Sequence, residues 1–424
     1  MCDSEENCQC RRSLLEAITY KYIIAMKEDP SNSSIYVPKR GLVTLSESGD
    51  LILPENVDLT DYKIDSAGNV DELVRLACNV KELILHGNCL QVWDEVLTIV
   101  SGMPMLTFLN LTANSLSEMV VRPSEKSVFP NISHLVLNKT RVPWDTLEAL
   151  LQCFFSLVEL HLSLNDYTDV CLSDQLEYPS LKILFFNGNA VTSWPKICKL
   201  GRAFPNLEDL MMCGCKFTNI GSDGHEAFSR LRRWSLSQTH LEGWGDVDQL
   251  RHFPALYDVR LQDIAFLQKY KQKERRQLII ARTPNIICLN GSRIEALDRE
   301  DAERAFIRKY MDADEKPERY FELEKVHGKL HPLANVCMTP QTTFKVSVVF
   351  DEQVQVMEIS TSQTVGQLKS SLASLFGQPP NKCRLFYLDK QISHGLEELK
   401  FPQKMVYNLN VDDGDEFHIW LKCR

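Results

Sequence analysis

The stretch Leu106-Thr-Phe-Leu109-Asn-Leu111-Thr-Ala-Asn114-Ser-Leu116 decides the fold. Its leucines fall three and two residues apart, and the run closes on an asparagine and a further leucine. The phrase opens again at Val80, Ile132, Leu157, Leu181, Leu207, Leu231 and Leu256. Successive openings from Val80 onward lie 26, 26, 25, 24, 26, 24 and 25 residues apart. A chance match does not hold its period seven times. A degenerate copy comes first, with Val57, Leu59 and Ile64 in the repeat positions counted from Pro54.

Leu-x-x-Leu-x-Leu-x-x-Asn-x-Leu is the phrase of a leucine-rich repeat, a short strand followed by a returning segment. One repeat cannot bury its own apolar face. Stacked repeats build a continuous core and need caps at the ends. The expected fold over residues 51–285 is therefore an α/β leucine-rich-repeat solenoid, a horseshoe. Side chains alternate along a strand, so the two leucines of each Leu-x-Leu point inward. The asparagine column runs Asn88, Asn114, Thr140, Asn165, Asn189, Cys215, Thr239 and is expected to bond to loop backbone. Trp93, Trp144, Trp194 and Trp244 recur in alternate repeats and are expected to pack on the convex side. Phe129-Pro130, Phe204-Pro205 and Phe253-Pro254 are expected to stop each helix ahead of the next strand.

The flanks read differently. In residues 1–50, Leu14, Leu15, Ile18 and Tyr22 lie at helical spacing, so 12–27 reads as a helix that docks on the first repeat or meets a partner. Asp29–Ser34 reads as a loop. Cys2, Cys8 and Cys10 have no second half with which to form a metal site. At 286–312 a cap is expected, with Asp298 starting a helix whose Ala302, Ala305, Phe306 and Tyr310 share a face. Residues 313–342 carry charge runs with Pro317, Gly328, Pro332 and Pro340, and read as a linker or extended segment. In 343–424 the order of two alternating strands, a helix from Thr364 and two further strands predicts an α+β ubiquitin-like β-grasp roll.

Composition narrows the function. The chain has 424 residues, 44% of them hydrophobic, a formal charge of -10 and a pI near 5.6. That suggests two or three domains. It argues against a nucleic-acid partner, which calls for a basic face, and against attachment to an anionic membrane. No run of 18 apolar residues predicts a transmembrane helix. The acidic start, MCDSEENCQC, does not read as a signal peptide. Fourteen irregularly spaced cysteines are then expected to be reduced and cytosolic. Phosphate loops, His-Glu-x-x-His and nucleophile elbows are missing, so neither enzyme nor cofactor is expected. Cys215 of Cys213-Gly-Cys215 fills the asparagine column, which accounts for it without redox chemistry. His134, His161 and Glu159 are neighbours across two strands, but no catalytic or metal site is expected there.

The repeat register also lists the outward residues. One column runs Glu82, Phe108, His134, Glu159, Ile183, Asp209, Arg233, Asp258; the next runs Ile84, Asn110, Val136, His161, Phe185, Met211, Ser235, Arg260. Ile84, Phe108, Val136, Ile183, Phe185 and Met211 are apolar where solvent is expected, and exposed apolar clusters mark partner sites. Arg233 and Arg260 lie at the charged end, where they would orient a partner. These eight residues are the expected partner-binding concave face.

The layout resembles the tubulin-folding cofactor E family, over about 250 residues of array plus the roll. The resemblance rests on Leu289-Asn290-Gly291-Ser292, on Arg299-Glu300-Asp301-Ala302-Glu303-Arg304-Ala305-Phe306-Ile307-Arg308, on Leu164-Asn165-Asp166-Tyr167, and on Lys199-Leu200-Gly201-Arg202-Ala203-Phe204-Pro205. Members of that family can begin with a glycine-rich CAP-Gly module. Only about 50 residues precede the array here, with Gly41 and Gly49 alone, so the E-like branch without that module is expected. The resemblance implies a cytoplasmic, cytoskeleton-associated protein that binds tubulin, expected to be held through its α subunit. It further implies dissociation of the α/β heterodimer, tubulin turnover through the proteasome and lower microtubule stability. An adaptor for another cytosolic client, such as a phosphatase or a ubiquitin-ligase component, is the alternative. In the roll, Phe386, His418 and Trp420 occupy places that resemble ubiquitin's apolar recognition patch, implying contact with ubiquitin receptors or the proteasome. Lys390 falls where ubiquitin carries a chain-forming lysine. The last residues, Lys422-Cys423-Arg424, lack the Gly-Gly needed for conjugation.

Overall fold

The structure is a computed structural model that describes residues 11–24, 44–45, 51–116, 128–332, 341–391 and 395–422. The readings of Cys2, Cys8, Cys10 and Asp29–Ser34 lie outside those residues. The chain divides into two compact units after Pro332.

The first unit contains an eleven-stranded sheet. Nine three-residue strands recur along it: β1 (Asn56–Asp58), β2 (Glu82–Ile84), β3 (Phe108–Asn110), β4 (His134–Val136), β5 (Glu159–His161), β6 (Ile183–Phe185), β7 (Asp209–Met211), β8 (Arg233–Ser235) and β9 (Asp258–Arg260). Each is parallel to the next, and they pair without register slip. Val57, Leu83, Leu109, Leu135, Leu160, Leu184, Leu210, Trp234 and Val259 form one inward row. That row is buried throughout, which is why the register holds: a slip of one residue would turn it to solvent.

Buried amides join the repeats. Asn114 Nδ2 donates to Leu85 O at 2.8 Å, and its Oδ1 accepts from Leu90 N at 3.2 Å. Asn165 Oδ1 accepts from Thr140 N and Arg141 N at 2.8 and 2.7 Å, while Nδ2 donates to Leu137 O. Asn88 and Asn189 act alike. The asparagine therefore serves mainly the loop of the preceding repeat. Directly before each column position the backbone is left-handed: Asp61, Gly87, Ala113, Lys139, Leu164, Gly188, Gly214, Gln238 and Asp263 all have φ between 55° and 69°. Only three are glycine, so the sequence does not advertise the turn. Outside glycine this conformation costs roughly 1–2 kcal/mol.

Each tryptophan expected on the convex side opens a helix. These are α3 (Trp93–Ser101), α4 (Trp144–Cys153), α5 (Trp194–Ala203) and α6 (Trp244–Gln249), preceded in the chain by α1 (Leu14–Ile18) and α2 (Val70–Leu76). The indole N–H of Trp93, Trp144 and Trp194 donates to Leu116 O, Asp169 O and Asp223 O in the following repeat. Trp244 donates to the Tyr270 hydroxyl. Aromatic residues also fill the position three before the last six openings: Phe129, Phe154, Tyr178, Phe204, Phe228 and Phe253. Rings contact along this column, as in Phe129–Phe154 with centroids 5.7 Å apart. Gly201 is needed for close approach, because a Cβ there would stand 2.5 Å from Ala227 O.

The ends are fastened. Leu14, Ala17 and Ile18 are buried in the repeat core, so α1 docks on the array. Ser13 and Glu16 form its capping box. At the far end β10 (Cys288–Leu289) and β11 (Ser292–Arg293) form an antiparallel hairpin across Asn290-Gly291, both with φ positive. α7 (Gln272–Arg282) packs beneath it. α8 (Ala296–Tyr310) follows Glu295, so Asp298 lies within its first turn rather than capping it. That places its carboxylate at the positive end of the helix dipole.

The expected linker is corrected. Glu318–His327 forms helix α9, with Pro317 before it and Gly328 after it. The residues read as breaks are this helix's own boundaries. Tyr320 and Leu323 are buried with Leu278, Ala281, Phe306 and Ile307. Glu303 of α8 accepts from Arg319 at 3.3 Å and lies 2.7 Å from His327 Nε2. Arg299 donates to Ile280 O, Thr283 O and Ile286 O. The charged run from Arg299 to Arg308 thus locks helices together.

The second unit is a five-stranded β-grasp roll. It contains β12 (Thr343–Phe350), β13 (Gln353–Ser360), helix α10 (Val365–Leu375), β14 (Cys383–Leu388), β15 (Glu397–Glu398) and β16 (Glu416–Leu421), ordered β13-β12-β16-β14-β15. Thr364 and Gln367 form the capping box of α10. Val365, Leu368 and Leu372 are buried against the sheet, whereas Leu375 is exposed.

Replacing Asn165 with alanine strips the buried Thr140 N–H and the part-buried Arg141 N–H of their partner and leaves Leu137 O with the Thr140 hydroxyl alone. The expected loss is about 3 kcal/mol, read as a lower denaturant midpoint at unchanged slope. A loss below about 1 kcal/mol would contradict this role for the amide.

Candidate functional site

Two sheet faces carry the residues singled out from sequence, one in each unit. In the array, the outward columns stand in register as the period predicts: Phe108 pairs with His134, His134 with Glu159, Glu159 with Ile183. Beside them Val136 pairs with His161, His161 with Phe185, and Phe185 with Met211.

The expectation of solvent-exposed apolar residues needs correction. Ile84, Phe108, Ile183, Phe185 and Met211 are half-buried, and Val136 is 6% exposed. Parallel strands lie about 4.8 Å apart, so lateral neighbours cover one another. What remains accessible is a mixed strip. The His161 ring stacks on Phe185 with centroids 4.1 Å apart and planes 12° from parallel. Phe108 meets His134 at 6.4 Å. Glu159 sits between the imidazoles, 2.7 Å from His161 Nε2 and 3.9 Å from His134 Nε2.

The charged end divides into two kinds of arginine. Arg233 forks onto the buried Asp209 carboxylate, which raises the Arg233 pKa further. Arg232 pairs with Glu208 at 2.9 Å, and Lys182 lies 3.6 Å from the same carboxylate. Arg260 is exposed and makes no ion pair among the described residues. Arg233 therefore holds the sheet, while Arg260 is available to a partner.

Cys215 Sγ donates to Phe186 O at 3.2 Å, and burial pushes its thiol up to about 11. It is protonated at neutral pH. Cys213 Sγ lies 2.9 Å from Ser235 Oγ. Among the described residues no group of three or more His, Cys, Asp or Glu is placed to hold a metal. None of their helices is long and apolar enough to cross a membrane.

In the roll, Phe386 is directly opposite His418, and Trp420 is opposite Arg384, so all four share the outer face. Trp420 is half exposed and covers Phe386, which is 6% exposed; the centroids are 4.4 Å apart. The Arg384 guanidinium lies 5.2 Å from the Phe386 ring centroid. Lys390 Nζ is 2.6 Å from Glu416, and His418 Nε2 is 3.1 Å from it. These contacts hold the Glu416 carboxyl below its usual range.

The sequence reading missed two residues of this face. Val354 and Val356 of the edge strand β13 are 60% and 71% exposed, and they stand opposite Val349 and Ser347. The signal was the alternation from Val354 to Ser360, whose outward half starts with two valines.

The ubiquitin family model matches residues 343–400. The human tubulin-specific chaperone cofactor E-like protein is 38% identical over 379 residues, covering 88% of this chain and 89% of its own. Its Caenorhabditis elegans counterpart is 27% identical, covering 97% and 94%. Tubulin-specific chaperone E of Bos taurus is 22% identical, covering 95% and 84%. With that extent of identity to the human protein, the chain belongs to the tubulin-specific chaperone cofactor E-like family, and its second unit is ubiquitin-like.

Proposed function

We propose that this chain is a cytoplasmic, cytoskeleton-associated regulator that binds tubulin, promotes dissociation of the α/β heterodimer and so lowers microtubule stability. The carrying observation is the in-register strip of Phe108, His134, Glu159, His161 and Phe185, on a chain whose relatives are named for tubulin. In this reading the array is a leucine-rich-repeat horseshoe. Its concave face, from Ile84 through Val136, Ile183 and Met211 to Arg233 and Arg260, holds the α subunit. Nine strands about 4.8 Å apart span roughly 38 Å. That suffices for an interface of about 800 Å² per partner. Aromatic residues at its centre suit the few side chains that carry most binding energy. Arg260 and the paired charges near it set orientation more than affinity.

Dissociation then requires no catalysis. A protein that binds a separated subunit more tightly than the heterodimer pulls the equilibrium apart by mass action. The ubiquitin-like face of Phe386, His418 and Trp420 couples the held subunit to ubiquitin receptors or the proteasome, giving tubulin turnover.

With purified protein in excess, gel filtration is expected to show loss of the tubulin heterodimer; an unchanged heterodimer contradicts the function. The Phe108→Glu/Phe185→Glu double variant is expected to weaken the effect about a thousandfold, since each such residue carries about 2 kcal/mol. Undiminished dissociation would place the interface elsewhere. Removing 343–424 is expected to preserve dissociation in vitro and to blunt tubulin loss in cells. Undiminished loss in cells would exclude the coupling role.

A further inference from the structure

At its C-terminal end the array closes around a cavity of 740 Å³. One face of α7 forms a wall, with Gln272, Arg275 and Arg276 spaced as neighbours on a helix. Ser292 and Arg293 of the β10–β11 hairpin form another, and Asp263 and Asp298 also line it. Three guanidinium groups thus line one cavity in a chain of net charge -10.

We propose that this cavity binds an acidic peptide segment through guanidinium–carboxylate hydrogen bonds. The arginines are charge-balanced but not committed. Arg276 Nη2 stands 3.8 Å from Asp298, and Arg293 Nε 3.6 Å from Glu295. Both distances exceed a hydrogen bond. Arg276 also donates to Arg293 O at 3.4 Å. The Arg275 side chain makes no hydrogen bond or ion pair among the described residues. A guanidinium offers five N–H donors in a fixed fork that matches a carboxylate, so most donors here remain available.

Asp263 and Asp298 offset two of the three guanidinium charges, so recognition rests on directed guanidinium–carboxylate hydrogen bonds more than on net charge. The volume also lies within the range of ligand sites and admits more than one side chain. Arg260, exposed at the end of β9, directly precedes the chain segment that lines the cavity, so it extends the positive path onto the outer sheet face. This site does not depend on the outer face holding a tubulin subunit.

The test is fluorescence anisotropy of a labelled oligoglutamate peptide with the full chain. Arg275→Glu is expected to weaken binding at least about tenfold, or 1.4 kcal/mol. Arg275 has no structural partner to lose, so folding should survive, and an unchanged melting profile checks it. Arg230→Glu, the same charge change elsewhere on the surface, is expected to leave affinity within about twofold. Competition by inorganic phosphate should be weak. No peptide binding by the parent, equal weakening by both variants, or phosphate binding in place of peptide would each overturn the proposal.

Discussion

A turn that cannot close itself governs this molecule. After each three-residue strand the chain enters a left-handed residue and leaves backbone N–H and C=O groups pointing inward. A buried unmatched backbone group costs on the order of 1–3 kcal/mol. The asparagine of the following repeat supplies both partners, as Asn165 does for Leu137, Thr140 and Arg141. Where asparagine fills the column, the preceding repeat is not satisfied alone, so those neighbours stand or fail together. Where the column departs from asparagine the substitute does less. Thr140 and Thr239 bond within their own repeat, through Leu137 O and Leu236 O. Cys215 still reaches back, to Phe186 O. The column ends at Ile264, and Asn290 accepts from Leu261 N in its place.

That constraint reaches the surface through register. Strands pinned at both ends by turns cannot slide, so outward residues of successive repeats stand side by side. Stacked rings and imidazoles gather around Glu159 in the middle, and ion pairs close the far end from Lys182 to Arg233. The core and the face are thus two readings of one strand. Substitutions at inward leucines are expected to act through stability, and those at outward aromatics through partners.

How much was legible follows the same line. The period, the inward row and the outward columns are all fixed by spacing, and the strands stand at the expected residues. Three features escaped. The left-handed turn is filled by Asp, Ala, Lys, Leu and Gln as well as Gly, so no residue type marks it. Exposure depends on lateral neighbours 24 to 26 residues away, which is why Val136 is buried though it faces outward. Helix α9 was masked by proline and glycine that bound it instead of breaking it. In the roll, Phe386, His418 and Trp420 do share a face. Burial of Phe386 beneath Trp420 leaves the tryptophan and the valines of β13 as the accessible part.

Site-specific photocrosslinking addresses the central claim most directly. A photoreactive phenylalanine analogue at Phe185 faces the client only if the outer sheet is the binding surface, and one at the exposed Gln152 of α4 serves as the helical-side reference. The account predicts a covalent adduct with α-tubulin from position 185 and none from position 152. Adducts from position 152 alone would contradict it.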